Sequence, residues 1–279
     1  MKADIVIVEA PYHLGVEGLS VGAGPAKLIE SGADRVLGRR GRPAQVEHVR
    51  MWDARSRDLD AVVDVNRLIA RAVREGVDQE TLPVVLAGNC NSCLGTLAGL
   101  GGGDRLGVVW LDAHGDCNTP ATSPSGLLEG MSLAMAVGLC HDDLRIRTGL
   151  QDVVMGRNVV MLGVRDLDPG EADCLAQNEV TVRPPAALDE LDDLLVSLRL
   201  RSERVYLHLD VDVLEPSESP AVNHRVPGGL SLIYAGELLR KIVDTLPVAA
   251  IGVTNFNPEL DQSGRSLNAI LQLLATLRA

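Results

Sequence analysis

The sequence predicts an α/β fold built on a mostly parallel sheet, and three observations carry the prediction. Short β-branched apolar runs recur along the 279-residue chain, helix-length segments separate them, and two paired-aspartate motifs each close an apolar run. The strand segments are Asp4–Val8, Pro83–Ala87, Leu106–Leu111, Val159–Val164, Val205–Asp210 and Val248–Val253. They are apolar on both faces, which suits a parallel sheet covered by helices on each side. Ala54–Glu75, Leu188–Leu200 and Leu230–Leu246 repeat apolar residues at helical spacing and read as crossovers. No internal repeat or linker interrupts them, and Gly101–Gly103 is short enough to be one loop. The expected organisation is a single domain spanning residues 1–279, doubly wound, with ligands at the carboxyl ends of the strands.

Composition excludes several classes. Lys and Arg number 26 against 38 Asp and Glu, a net charge of −12, which repels phosphate backbones and argues against nucleic acid as a partner. Two Trp, three Tyr and one Phe leave little for base stacking. No stretch approaches the roughly 20 apolar residues that a bilayer span needs. The run Ile5–Val8 after Asp4 reads as a first strand rather than as a signal peptide. Five cysteines at irregular spacing read as reduced thiols of a cytoplasmic protein, and Cys90-x-x-Cys93, with no second pair of that spacing, as incidental.

The first acidic motif is Asp112-Ala113-His114-Gly115-Asp116, directly after Val108–Leu111. Alternation along a strand end places Asp112, His114 and Asp116 toward one side. The second is Asp210-Val211-Asp212, with His208 upstream on the same side. One motif alone is satisfied by water at a strand end or by a helix cap. Two such motifs closing two strands concentrate four aspartates, which repel one another unless a cation lies among them. Carboxylates with an imidazole make a hard, oxygen-rich site suited to Mn²⁺ or a similar divalent ion.

These motifs resemble the arginase (ureohydrolase) family. Asp112–Gly130 is similar to its metal and substrate loops, Val164–Glu171 and Asp210–Leu230 to two further segments, and Glu9-Ala10-Pro11 with Gly15 and Gly24-Pro25 to its N-terminus. The resemblance implies a three-layer α/β/α sandwich, a pair of manganese ions, and hydrolysis of guanidino or amidino compounds. It makes Asp112 and Asp210 bridging ligands, His114 and Asp212 the completion of one metal site, and Asp116 a ligand of the other. Asn118, Ser123 and Ser125 fall where arginases hold the substrate α-carboxylate, and Asp168 where they help hold the α-amino group; a carboxylate pairs with an ammonium.

Three departures sharpen the expectation. Gly88-Asn89-Cys90-Asn91-Ser92 stands where the family has Gly-Gly-Asp-His-Ser, so Asn91 replaces a ligand imidazole and one manganese should bind less tightly. Cys90 is an alternative donor, although soft sulfur suits manganese poorly, and His208 is either a substitute ligand or a core histidine. Glu129 replaces the histidine that serves arginases as proton shuttle, with His224 a further candidate for acid/base work beside Asp116. Asn255 replaces the glutamate that pairs with the guanidinium. A less basic hydroxyguanidine needs no full counter-charge. The expected substrate is therefore Nω-hydroxy-L-arginine, split into ornithine and hydroxyurea as in the family branch that serves D-cycloserine formation. L-Arginine is second, and formiminoglutamate or another amidine stays open. A non-catalytic partner subunit and an arginase-fold deacetylase are the rivals, and the resemblance further implies a homotrimer or homohexamer.

Overall fold

The computed structural model describes residues 4–39, 41–51, 59–187 and 191–277. The chain opens with β1 (Ile5–Ala10) and a small hairpin of β2 (Tyr12–His13) and β3 (Val16–Glu17). Then come α1 (Gly24–Glu30), α2 (Ala33–Leu37) and β4 (Gln45–His48). α3 (Leu59–Asp78) leads into β5 (Leu82–Ala87), and α4 (Ser92–Leu100) into β6 (Leu106–Leu111). After α5 (Ser132–Ala136) and α6 (Asp142–Thr148) come β7 (Val159–Leu162), α7 (Glu171–Gln177) and β8 (Thr181–Arg183). α8 (Leu191–Arg201), β9 (Arg204–Asp210), α9 (Leu232–Thr245), β10 (Val248–Thr254) and α10 (Arg265–Thr276) complete the described chain.

Eight of the strands form one sheet in the order β4-β1-β5-β10-β9-β6-β7-β8, and every pairing in it is parallel. One face buries Val8, Val85, Trp110 and Tyr206 against α3 and α4; the other buries Ile7, Leu86, Leu111 and Leu209 against α8, α9 and α10. The result is the expected three-layer α/β/α sandwich. From β5 the chain skips two positions to β6, and β9 and β10 return to fill the gap. The carboxyl ends of these four central strands therefore meet at a point where chain order reverses, the place such sheets use for ligands.

The six expected strands all form, with ends shifted by a few residues: β7 stops at Leu162, where Gly163 takes a φ of 94°. The crossover expected over Ala54–Glu75 is described from Leu59 and runs on to Asp78, and that over Leu188–Leu200 is described from Leu191; residues 54–58 and 188–190 lie outside the described residues. α9 starts at Leu232 rather than Leu230, because the Ser231 side chain accepts a hydrogen bond from Tyr234 N and caps it.

Other elements escaped the sequence patterns. The edge strands β4 (QVEH) and β8 (TVR) are short and partly exposed, so they lack an apolar run. α4 is buried on all sides and shows no polar face to mark a period. Its Gly95 is required by packing, since a Cβ there would lie 2.5 Å from the Asn66 carbonyl oxygen of α3.

Candidate metal centre

β6 and β9 deliver the two acidic motifs side by side. Trp110 pairs with His208 across the strands, and their rings stack with centroids 3.8 Å apart. Tyr206 OH lies 2.8 Å from His208 Nδ1 and occupies the space that a Cβ on Gly252 of β10 would take. Burial drives the His208 pKa down to about 4, so the ring is neutral; the core-histidine reading fits this aromatic floor. Trp110 Nε1 donates to Asp112 Oδ2 at 2.9 Å, which orients the first carboxylate above the floor.

Backbone donors fix the remaining acids. His114 N donates to Asp112 Oδ1 at 2.7 Å, Ala113 N to Asp212 Oδ1 at 3.1 Å, and Asp212 N to Asp210 Oδ1 at 2.9 Å. His114 Nδ1 lies 3.3 Å from Asp112 Oδ1 and 3.1 Å from Asp212 Oδ2. Asp116 sits in left-handed backbone space at φ 47°, held because its carbonyl accepts from Leu133 N and Ala134 N.

Charge in this cluster is out of balance. Asp112, Asp116, Asp210 and Asp212 are all buried, and among the described residues no lysine or arginine forms an ion pair with them. Burial, then Asp112, raises the Asp116 pKa well above the usual range; burial, then Asp212, does the same for Asp210. Burial alone would lower the His114 pKa, yet its bonds to Asp112 and Asp212 push it up to about 12. Asp116 Oδ2 is buried without any hydrogen-bond partner. An orphaned carboxylate oxygen beside three further buried acids fits divalent cations, which supply the missing positive charge. Two donor sets converge within 4.8 Å: Asp112, His114 and Asp212, and Cys90, Asp112, His208 and Asp210.

The structure separates Asn91 from its neighbour Cys90. Asn91 Nδ2 donates to Leu128 O at 3.0 Å and Ser132 Oγ at 2.9 Å, which leaves Oδ1 as a buried acceptor with no partner. Its side chain borders a small secondary pocket with Ala10, Tyr12 and Asn66, whereas Cys90 lines the main cavity. The Cys90 thiol donates to Asp210 Oδ2 at 3.1 Å, and burial followed by Asp116 holds its pKa well above the normal thiol range.

A cavity of about 250 Å³ opens over the acids, a size for a small molecule. Asn118, Ser125, Glu129, Asp168, His224 and Asn255 all reach it, as the sequence suggested. Asn118 Nδ2 donates to Asp168 Oδ2 at 2.8 Å, joining the two segments expected to hold an amino-acid end. Ser123 does not line the cavity; its Oγ accepts from Gly126 N at 3.0 Å and lies 3.4 Å from Ser125 Oγ, bracing the loop. Asn255 Nδ2 donates to Asp210 Oδ2 and to Cys90 Sγ.

Sequence reasoning missed three contributors. His13, on the hairpin, lies 3.7 Å from Glu129 Oε2, while His224 Nε2 lies 3.8 Å from Oε1, so Glu129 stands between two imidazoles. Glu129, then burial acting against it, leaves His224 with a raised pKa. Glu171 accepts from Cys117 N and Asp168 N, tying the first metal motif to α7. Arg165 donates to the carbonyls of Gly163, Asp212, Val213, Leu214 and Val226, clasping the second motif. The Arg165 and Glu171 positions lay within a segment already singled out; nothing in the sequence places His13 near Glu129.

Comparison with known proteins agrees with this geometry. A model of the arginase family matches residues 3–278. An arginase of Bacillus caldovelox is 31% identical over 292 residues, covering 98% of this chain and 97% of that protein. An arginase of Bacillus subtilis (strain 168) is 30% identical, covering 99% of this chain and 98% of that protein. The crystal structure of arginase from Bacillus cereus superposes with a TM-score of 0.87 at 28% identity, covering 100% of this chain and 99% of that one.

Proposed function

The chain belongs to the arginase family, and from that premise we propose that it is a manganese-dependent amidinohydrolase whose favoured substrate is Nω-hydroxy-L-arginine. Hydrolysis would give L-ornithine and hydroxyurea. Asp112, His114, Asp116, Asp210 and Asp212 would hold the ions; Asn91, which borders the separate small pocket, would not be among the donors. Bound there, divalent ions would lower the pKa of water and so provide a nucleophile at neutral pH.

The protein's own groups supply the rest. Asn118 and Ser125 offer donors to the substrate α-carboxylate, and Asp168 offers its carboxylate to the α-amino group. That pairing extends the side chain toward the aspartates. When water adds to the guanidino carbon and the C–N bond to the δ-nitrogen breaks, the leaving amine needs a proton. Glu129 and His224 line the same cavity and are paired with each other, so a proton held between them is within the site.

One observation carries the choice of substrate. Asn255 brings a neutral amide to the Asp210 end of the cavity, with its Nδ2 engaged by Asp210 and Cys90, so it supplies no counter-charge. A fully cationic guanidinium loses by that, whereas a weakly basic hydroxyguanidine does not. L-Arginine is the second reading, because the named relatives are arginases. Steady-state hydrolysis by manganese-loaded protein, with Nω-hydroxy-L-arginine, L-arginine and agmatine compared, tests both. Faster cleavage of hydroxyarginine supports the proposal, and preference for arginine replaces it with the second reading. Failure to turn over any of the three while manganese is bound removes the substrate assignment.

A further inference from the structure

Beneath the substrate loop lies a pair of thiols that the hydrolytic reading leaves unused. Cys117 directly follows Asp116 and is fully buried; Cys174, on α7, is partly exposed. Their sulfurs are 3.7 Å apart, and closing to the ~2.05 Å of a disulfide takes a further displacement of one or both side chains. Asn178 Nδ2 points at Cys174 Sγ from 3.9 Å, on a side chain anchored to the Cys174 carbonyl.

Both ends of that gap are attached to the site. On one side, Cys117 N donates to Glu171 Oε1 at 2.8 Å, and the Asp116 carbonyl accepts two backbone donors, so this loop has little slack. On the other side, Glu171 opens α7 and its second oxygen accepts from Asp168 N at 3.0 Å. The contact Asn118 Nδ2 to Asp168 Oδ2 spans the same gap. Drawing the two sulfurs together therefore pulls on Asp116, already in left-handed backbone space, and on the Asn118–Asp168 contact.

We propose that Cys117 and Cys174 form a dithiol modification site, closed to a disulfide by a hydroperoxide, and that closure weakens the metal end of the cavity. The partly exposed Cys174 attacks the peroxide through its sulfur: the O–O bond breaks, an S–O bond forms, and an alcohol or water leaves. The Cys117 sulfur then displaces hydroxide from the sulfenic acid; the S–S bond forms, the S–O bond breaks, and the thiol proton leaves with hydroxide as water. Two electrons pass from the sulfur pair to the peroxide. Cys140, between α5 and α6, is the competing thiol, its sulfur 3.9 Å from Asn118 O.

The experiment treats manganese-loaded protein with hydrogen peroxide, maps its peptides without reduction, and measures manganese affinity before and after. The expected result is a linked peptide carrying Cys117 and Cys174, with affinity reduced about tenfold or more and restored by dithiothreitol. Cys174→Ser should form no link and keep both its starting affinity and its response to fresh metal. Oxidation of Cys140 or Cys174 without a Cys117 link overturns the site, and a link that leaves manganese affinity unchanged overturns the coupling. The link is read without any turnover, so its appearance or failure is independent of the substrate assignment.

Discussion

Asn255 is held in left-handed backbone space at φ 68°, with its N–H donating to Gly88 O, so a non-glycine residue is kept there by its surroundings. Its amide faces Asp210 and Cys90, and on the proposed reading this neutral group is what disfavours a fully cationic guanidinium. Asn255→Glu, which restores the family's acidic residue, should raise kcat/KM for arginine relative to hydroxyarginine about tenfold, in line with a charged contact of roughly 1.5–3 kcal/mol. An unchanged ratio in competition kinetics would remove Asn255 from the specificity argument. Glu129 supports a second prediction. Glu129→Gln preserves its shape between His13 and His224 but cannot exchange a proton, so kcat should fall by about 10²-fold or more with KM little changed. A fall confined to KM would make Glu129 a binding residue instead. Positions 91, 129 and 255 were singled out because Gly88–Ser92, the loop after Asp116 and the end of the last strand resemble family segments that carry other residues there. What Glu129 touches was not readable, since His13 arrives from a hairpin more than a hundred residues away in sequence.

Arg165 connects two elements that the sequence treats as separate. Its guanidinium donates to Asp212 O and Val226 O, both at 2.8 Å, and so joins the metal motif after β9 to the loop bearing His224. Burial lowers its pKa somewhat, and carbonyl oxygens, rather than a carboxylate, take its donors. Arg165→Met keeps the aliphatic stem but strips five carbonyls of donors, and manganese affinity should drop about tenfold at a temperature where the variant is still folded. Arg165→Lys should recover part of that loss. Equal metal affinity in Arg165→Met and the unsubstituted protein, measured by calorimetry, would reduce Arg165 to an ordinary structural anchor. At this scale the central strands were legible because burial on both faces requires continuous apolar runs. The edge strands and α4 were not: the former are too polar, and the latter is too uniformly buried for periodicity to register.

For the whole molecule, the cluster of acids sets a cost on folding that metal relieves. Four buried aspartates with one imidazole between them favour protonation or a cation in the folded state, and neither need exists in the unfolded chain. A ligand that binds only the folded form at about a hundred times its Kd stabilises by about 2.7 kcal/mol, which for a chain of this size is a rise of roughly 5–10 °C in Tm. Manganese should therefore raise Tm by that amount over chelator-treated protein. Asp116→Asn separates a metal role from a structural one. Asparagine tolerates left-handed backbone, and the change removes a like charge next to Asp112, so the metal-free variant should unfold no earlier than the unsubstituted protein. Its response to manganese should shrink by at least half. If Asp116→Asn instead lowers Tm equally with and without metal, then the carboxylate serves packing alone. The orphaned Oδ2 that points to a cation would then need another explanation.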